Sequence, residues 1–196
     1  MSTIERDFDL RKESILLLYN HIVVLSEEKS TVKISAIIKA SFYIALYNNV
    51  EATFYSIFEL IHDTVSKYKY SSLSCRLKSM IDDISSKNQS HLPTLENYIK
   101  KKKLYSGNLD HRKGKALFKQ YGIPFNNDFE KKITYSLLII KNKRNKIAHG
   151  EESLSQAGRN ISHIELKNIA DNSFTILLEY IKSALLYLKE QQYLLR

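Results

Sequence analysis

Tryptophan is absent from this 196-residue chain, cysteine occurs once, proline twice and glycine five times. A single Cys75 excludes an intrachain disulfide and the usual cysteine-rich zinc sites. With so little Pro and Gly, long stretches lack the punctuation that breaks helices, and the expected fold is all-α. No apolar run approaches the roughly 20 residues a bilayer requires, and nothing reads as a signal peptide. The expected compartment is therefore the cytoplasm. Acidic residues are also short: 30 Lys and Arg against 21 Asp and Glu leave a formal net charge of +9. A basic excess of this size favours a polyanionic partner such as nucleic acid, with plain solubility or an anionic membrane surface as the alternatives. The length suits one sizeable hydrophobic core, so a single domain over 1–196 is expected.

What is present is helical periodicity. Residues 3–27 place Phe8, Ile15, Leu18, Ile22 and Leu25 on one side of an amphipathic helix. Residues 31–66 carry the longest seam, in which Ile37, Ala40, Ile44, Tyr47, Glu51, Phe54, Phe58 and Ile61 step by threes and fours. The 13 Tyr and 8 Phe fall mostly at such spacing, which favours core over base-stacking platforms. "SLSCRLKSMIDDISS" predicts a third helix before a break at "KNQSHLP". Two short helices should follow, joined at "SGNLD" and stopping at Gly122 and Pro124. The basic clusters at 100–103 and 111–115 read as solvated faces. Residues 128–149 return to clean helix with Ile133, Leu137, Ile140, Arg144 and Ile147 in phase, and Gly150 is a natural stop. Ser162 and Glu165 have capping-box spacing and open a last helix over about 162–193. The sum is a helical bundle of long antiparallel elements with shorter helices in the middle.

Two residues sit wrongly on these stripes. Arg144 occupies an apolar position of its helix, and an inward Arg requires an anion, either a protein carboxylate or a phosphate that it can fork. Glu51 is the corresponding misfit on the 31–66 seam, where a bare buried carboxylate is costly. A half-buried Arg144–Glu51 pair that only locks the bundle is one reading. The other is catalytic, because His149 follows five residues later at the helix end, in "RNKIAHG". Metal-free RNA cleavage requires a base, an acid and fixed positive charge for the phosphorane oxygens, and His and Arg supply these at neutral pH. One His cannot easily serve as both acid and base, so a symmetric dimer supplying two of each would suit the chemistry. Asn145 could fix a phosphate, and Lys141, Lys143 and Lys146 surround the position with positive charge.

"RNKIAHG" resembles the Arg-x4-6-His signature of the HEPN superfamily, including the polar residue after the Arg. Together with "KASFYIALYNNVEATFYSI", "SGNLDHRKGKALFKQYGI", "KNKRNKIAHGEESLSQAGRN" and the closing "YIKSALLYLKEQQYLL", it resembles the MAE-type branch of HEPN-like nucleases, encoded in bacteria near restriction and other defence systems. The likeness covers most of the chain from "ERDFDLRKESI" onward. It implies an all-α bundle, a homodimer formed along the motif helix and metal-independent endoribonuclease activity without a cofactor. Arg144 and His149 then match the catalytic pair, Asn145 the accessory polar residue, and Glu51 an acidic position that orients Arg144. Arg159 matches a basic position after the motif loop and, with the three lysines, would bind RNA. Leu154 departs from the usual aromatic and Ser162 from the usual Thr, away from the chemistry.

The expectation is a cytoplasmic RNase of a bacterial defence or toxin–antitoxin system, with RNA as substrate and an antitoxin or another defence protein as a possible partner. The rival is a non-catalytic helical module that binds RNA or protein within a defence complex.

Overall fold

A computed structural model of the chain describes residues 2–27, 31–83, 91–101, 104, 108–125 and 129–195. Eight α-helices account for most of these, and no strand occurs among the described residues. The all-α expectation holds. Parts of the anticipated break at "KNQSHLP", the "SGNLD" joint and the 100–103 lysine run lie outside the described residues.

The chain divides into two compact units, residues 1–52 with 129–178 and residues 53–128 with 179–196. In the first unit, α1 (Thr3–Glu27) buries Ile4, Phe8, Ile15 and Ile22. Its partners are α2 (Val32–Val65) and α8 (His163–Lys189). Tyr19 lies near Phe42 of α2, and Arg11 Nε donates to Asn49 Oδ1 at 2.9 Å. Phe8 meets Phe174 of α8 edge-on, while Lys167 sits over Tyr19. Both sets of contacts descend along one helix as they climb the other, so α1 runs antiparallel to α2 and to α8. Helix α6 (Lys131–Ala148) joins this unit through buried Ser136, Leu137 and Ile140. Asn172 Nδ2 of α8 donates to Ser136 Oγ at 3.2 Å.

One element of this unit is absent from the periodicity reading. The stretch after the motif contains α7, Leu154–Arg159, a six-residue helix. Ser153 and Gln156 cap it reciprocally, and the S-x-x-Q spacing in the sequence was the signal for it. Gly158 of α7 lies so close to α2 that a Cβ there would stand 1.9 Å from the Ala36 carbonyl oxygen.

The second unit is aromatic. Phe54 and Phe58 of α2, Phe118 and Tyr121 of α5 (His111–Tyr121) and Tyr180 of α8 pack ring against ring, and Phe125 stacks on Tyr180 at 4.2 Å. The short helices α3 (Cys75–Asp82) and α4 (Leu95–Lys101) belong to this unit, with Leu77, Met80, Ile81, Leu95 and Tyr98 buried. Asp110 caps α5 by accepting from the Lys113 N–H, and the helix stops at Gly122 as anticipated.

Helix α8 is shorter than the periodicity suggests. It ends at Lys189, where Gln191 adopts φ 52°. The Gln191 and Gln192 N–H groups bond back to Leu188 and Tyr187. The chain then turns so that Ser74 N–H reaches Tyr193 O and Leu195 N–H reaches Ser72 O, each at 2.8 Å. Apolar residues at 193–195 therefore keep a helical pattern without helical backbone.

Candidate active site

The end of α6 gathers most of the residues singled out in the sequence, all within the first unit. Arg144 faces inward from the apolar stripe, as its phase requires, yet keeps 27% of its side-chain surface exposed. Its Nη2 lies 3.9 Å from Glu51 Oε2 of α2. Its Nη1 donates to Asn145 Oδ1 at 3.0 Å. The guanidinium carbon lies 4.4 Å from the centre of the Tyr47 ring, so a cation–π contact covers one face. Tyr47 and Glu51 are one turn apart on α2, which places ring and carboxylate side by side. Three side chains therefore set the direction of one guanidinium, and a guanidinium so fixed presents its fork at lower entropic cost.

Asn145 differs from its anticipated role in one respect. Its amide oxygen is engaged by Arg144, which makes it a brace for the cation.

His149 sits at the C-cap of α6 and its side chain is exposed. Its backbone N–H donates to Asn145 O at 2.9 Å, and its imidazole has no hydrogen-bond partner among the described residues. The helix stops here because Gly150 adopts φ 73°, a left-handed conformation that costs glycine little. Gly150 N–H bonds to Ile147 O at 3.1 Å and Glu151 N–H to Lys146 O at 2.9 Å, the paired bonds of a Schellman turn. The turn brings the chain back over the last turn of α6 and so fixes where Glu152 lies.

Glu152 is the residue that sequence reasoning missed. Its carboxylate accepts from Lys143 Nζ at 2.8 Å through one oxygen and from Lys146 Nζ at 3.0 Å through the other. Lys143, then Lys146, hold the Glu152 carboxyl below its ordinary range, and Glu152 raises the Lys146 ammonium in return. Two of the three lysines expected to bind RNA are thus tied to a carboxylate. Lys141, half-buried on the same helix, is not bound to Glu152. Nearby, burial first, then Glu165 and Glu152, push the Tyr43 phenol well up, so it stays neutral.

Arg159 stands apart from this group. It is exposed in the last turn of α7, beside a cavity whose other cations are Lys33 and Lys39 of α2. The site therefore brings Arg144, Asn145 and Glu51 into contact, adds Tyr47 and Glu152, and leaves Arg159 to a different surface.

The geometry can orient a phosphate. A one-quarter exposed guanidinium of constrained direction, with an exposed imidazole at the end of the same helix, offers a charge and a proton-transfer group on one helix. Among the described residues no helix is long and apolar enough to cross a membrane. In a comparison with known families, the model described as "HEPN_MAE_28990:/-like HEPN" matches residues 1–193. No curated protein and no solved structure matches the chain.

Proposed function

Because the chain belongs to the MAE_28990-like HEPN family, whose members are nuclease-like or RNA-handling modules, we propose that it is a metal-independent endoribonuclease. In this reading an imidazole of His149 removes the proton of a ribose 2′-OH, and the oxygen attacks the adjacent phosphorus. Arg144 stabilises charge on the phosphorane oxygens. The P–O5′ bond then breaks, and the departing 5′-oxygen takes a proton from an imidazolium. The products are a 2′,3′-cyclic phosphate and a 5′-hydroxyl end. Two imidazoles suit these two proton transfers, and a homodimer formed along α6 would supply the second. Glu51 and Asn145 position Arg144, while Lys141, Lys143, Lys146 and Arg159 draw in the RNA backbone, making binding salt-sensitive. The biological setting consistent with this activity is bacterial defence or a toxin–antitoxin pair.

The observation that carries the proposal is the guanidinium of Arg144, held on an otherwise apolar stripe by Glu51, Tyr47 and Asn145 yet still open to solvent. A group that only locked the helices would have no need of that exposure. The test is cleavage of a labelled RNA in EDTA by wild type, Arg144→Ala and His149→Ala. Both variants should lose at least 100-fold in rate, on the order expected for one acid–base or charge-stabilising group. Full activity in both would sink the assignment.

A second reading, a non-catalytic module that binds RNA or protein in a defence complex, draws on Glu152. Its capture of Lys143 and Lys146 lowers the free positive charge beside the motif. RNA binding that survives in wild type without cleavage of any RNA would favour it.

A further inference from the structure

A second cluster of positive charge lies in the first unit, away from the residues assigned to chemistry. Between the end of α1, the first turns of α2 and the end of α7 is a cavity of about 320 Å³. Lys33, Lys39 and Arg159 line it, no acidic residue among the described ones does, and neither Arg144 nor His149 reaches it. Lys39 is held in place by donating to Ile161 O at 2.9 Å. Lys33 and Arg159 form no ion pair with any described residue. The first turn of α2 contains no acid either, so the positive end of its dipole adds to the field.

An independent feature points to a ligand. Ser35, in that first turn, lines the cavity and is only 5% exposed, and its hydroxyl has no hydrogen-bond partner. A buried hydroxyl without a partner is unfavourable, and an oxygen acceptor entering the cavity would satisfy it. Ser155 on α7 adds a second hydroxyl, and Ala36 and Val32 supply apolar wall. The frame is fixed, because Gly158 lets α7 touch the backbone of α2 at Ala36. A cavity of this size is at the small end of small-molecule sites, which begin at roughly 300 Å³.

We propose that this cavity binds a phosphate monoester of mononucleotide size, its phosphate on Lys39, Ser35 and Arg159 and its organic body against Val32 and Ala36. The ligand is either a free mononucleotide or the phosphorylated end of a strand; both present the same dianion. The assignment gives Arg159 a defined anion and requires no cleavage by Arg144 or His149, so failure of the nuclease reading leaves it standing.

The test is titration calorimetry on the full chain, in wild type and in the non-cleaving His149→Ala background. The probes are AMP, UMP, adenosine, and a hexaribonucleotide with either a 5′-phosphate or a 5′-hydroxyl. At least one phosphorylated probe should bind tenfold or more tighter than its unphosphorylated counterpart. Lys39→Ala and Ser35→Ala should each weaken that binding fivefold or more. Preference for AMP and UMP alone identifies the free nucleotide, and preference for the 5′-phosphorylated strand identifies the strand end. Ser35→Ala removes only an unpartnered hydroxyl, so its melting temperature without ligand should match or exceed wild type while the ligand-induced rise shrinks. Equal binding of phosphorylated and unphosphorylated probes overturns the proposal, as does wild-type affinity in both variants.

Discussion

The guanidinium of Arg144 lies over the ring of Tyr47, 4.4 Å from its centre, while Glu51 approaches from one turn further along the same helix. Ring and carboxylate constrain the cation in different directions, the one fixing its plane and the other its in-plane rotation. Tyr47 itself is fully buried, so the platform cannot shift. Tyr47→Leu keeps an apolar side chain there but removes the ring face, at a cost of about 0.5–2 kcal/mol. If the orientation of Arg144 matters for chemistry, Tyr47→Leu should lower the cleavage rate about tenfold with the helical circular dichroism spectrum unchanged, and Tyr47→Phe should retain the rate. Equal rates in the Leu and Phe variants would show that the ring does not position the cation.

Glu152 sets how much positive charge the end of α6 offers. Glu152→Gln would release Lys143 and Lys146 from the carboxylate that now takes both. RNA affinity at low salt should rise severalfold, and the dependence of log affinity on log salt should steepen by about one to two units. The two ion pairs contribute little to folding because Lys146 is exposed and Lys143 still a third exposed. The sign is nevertheless defined: a lowered carboxyl stabilises above its ordinary value of 4.5 and loses that contribution as pH falls through its lowered folded value. Fluorescence anisotropy with a short RNA across a salt series measures the binding effect.

His62 gives a separate pH signature in the second unit. Its Nδ1 stands 2.7 Å from Pro93 O, a carbonyl that can only accept, so that nitrogen carries the proton. Nε2 then accepts from the Tyr121 hydroxyl, also at 2.7 Å, and a second ring proton would confront a donor. Burial lowers His62 from 6.5 to about 4, with the Pro93 bond and Asp63 opposing the shift. An unfolded chain binds this proton below pH 6.5 and the folded one does not until about pH 4. Stability should therefore fall through that window, by on the order of 3 kcal/mol from this group alone. Urea midpoints of wild type and His62→Asn, compared from pH 7 to pH 4, isolate it: the variant should show a shallower decline. Parallel declines would remove the assignment.

The long helices and the Arg144–Glu51 relation were legible because each rests on a local rule: a period near 3.6, and a charged residue on the wrong stripe. Tyr47 stood on the same seam and was readable as core, but not as the surface beneath a cation, since an aromatic at helical spacing fits either role. Glu152 was hidden for a different reason. Its partners depend on the turn at Gly150, and periodicity carries no information about where a chain returns after a helix ends. Helix α7 has its capping box in plain view at Ser153 and Gln156, yet six residues are too few for a periodic signal. At the other end of the chain, Tyr193 and Leu194 continue an apolar pattern although pairing with Ser72 to Ser74 takes the backbone out of the helix. Ser35 is ordinary in sequence, and only burial without a partner distinguishes it.

Gly158 tests whether α7 is a fixed wall or an adjustable one. A Cβ at this position would meet Ala36 O at 1.9 Å, Ala36 C at 2.8 Å and Ala36 Cα at 3.1 Å. All three are backbone atoms of α2, so no rotamer change relieves the overlap and one helix must move. The added methyl also gains no compensating space, because Ala157 beside it and Ala36 opposite are already buried. Gly158→Ala should destabilise the protein by about 1–3 kcal/mol, the range typical of overpacking, or force α7 outward. The two outcomes separate on ligand. A rigid wall gives a lower urea midpoint with AMP affinity preserved in the folded chain, whereas a displaced α7 carries Arg159 and Ser155 away and loses both stability and binding. Wild-type midpoint and wild-type affinity together would show that α7 does not make this close contact in solution.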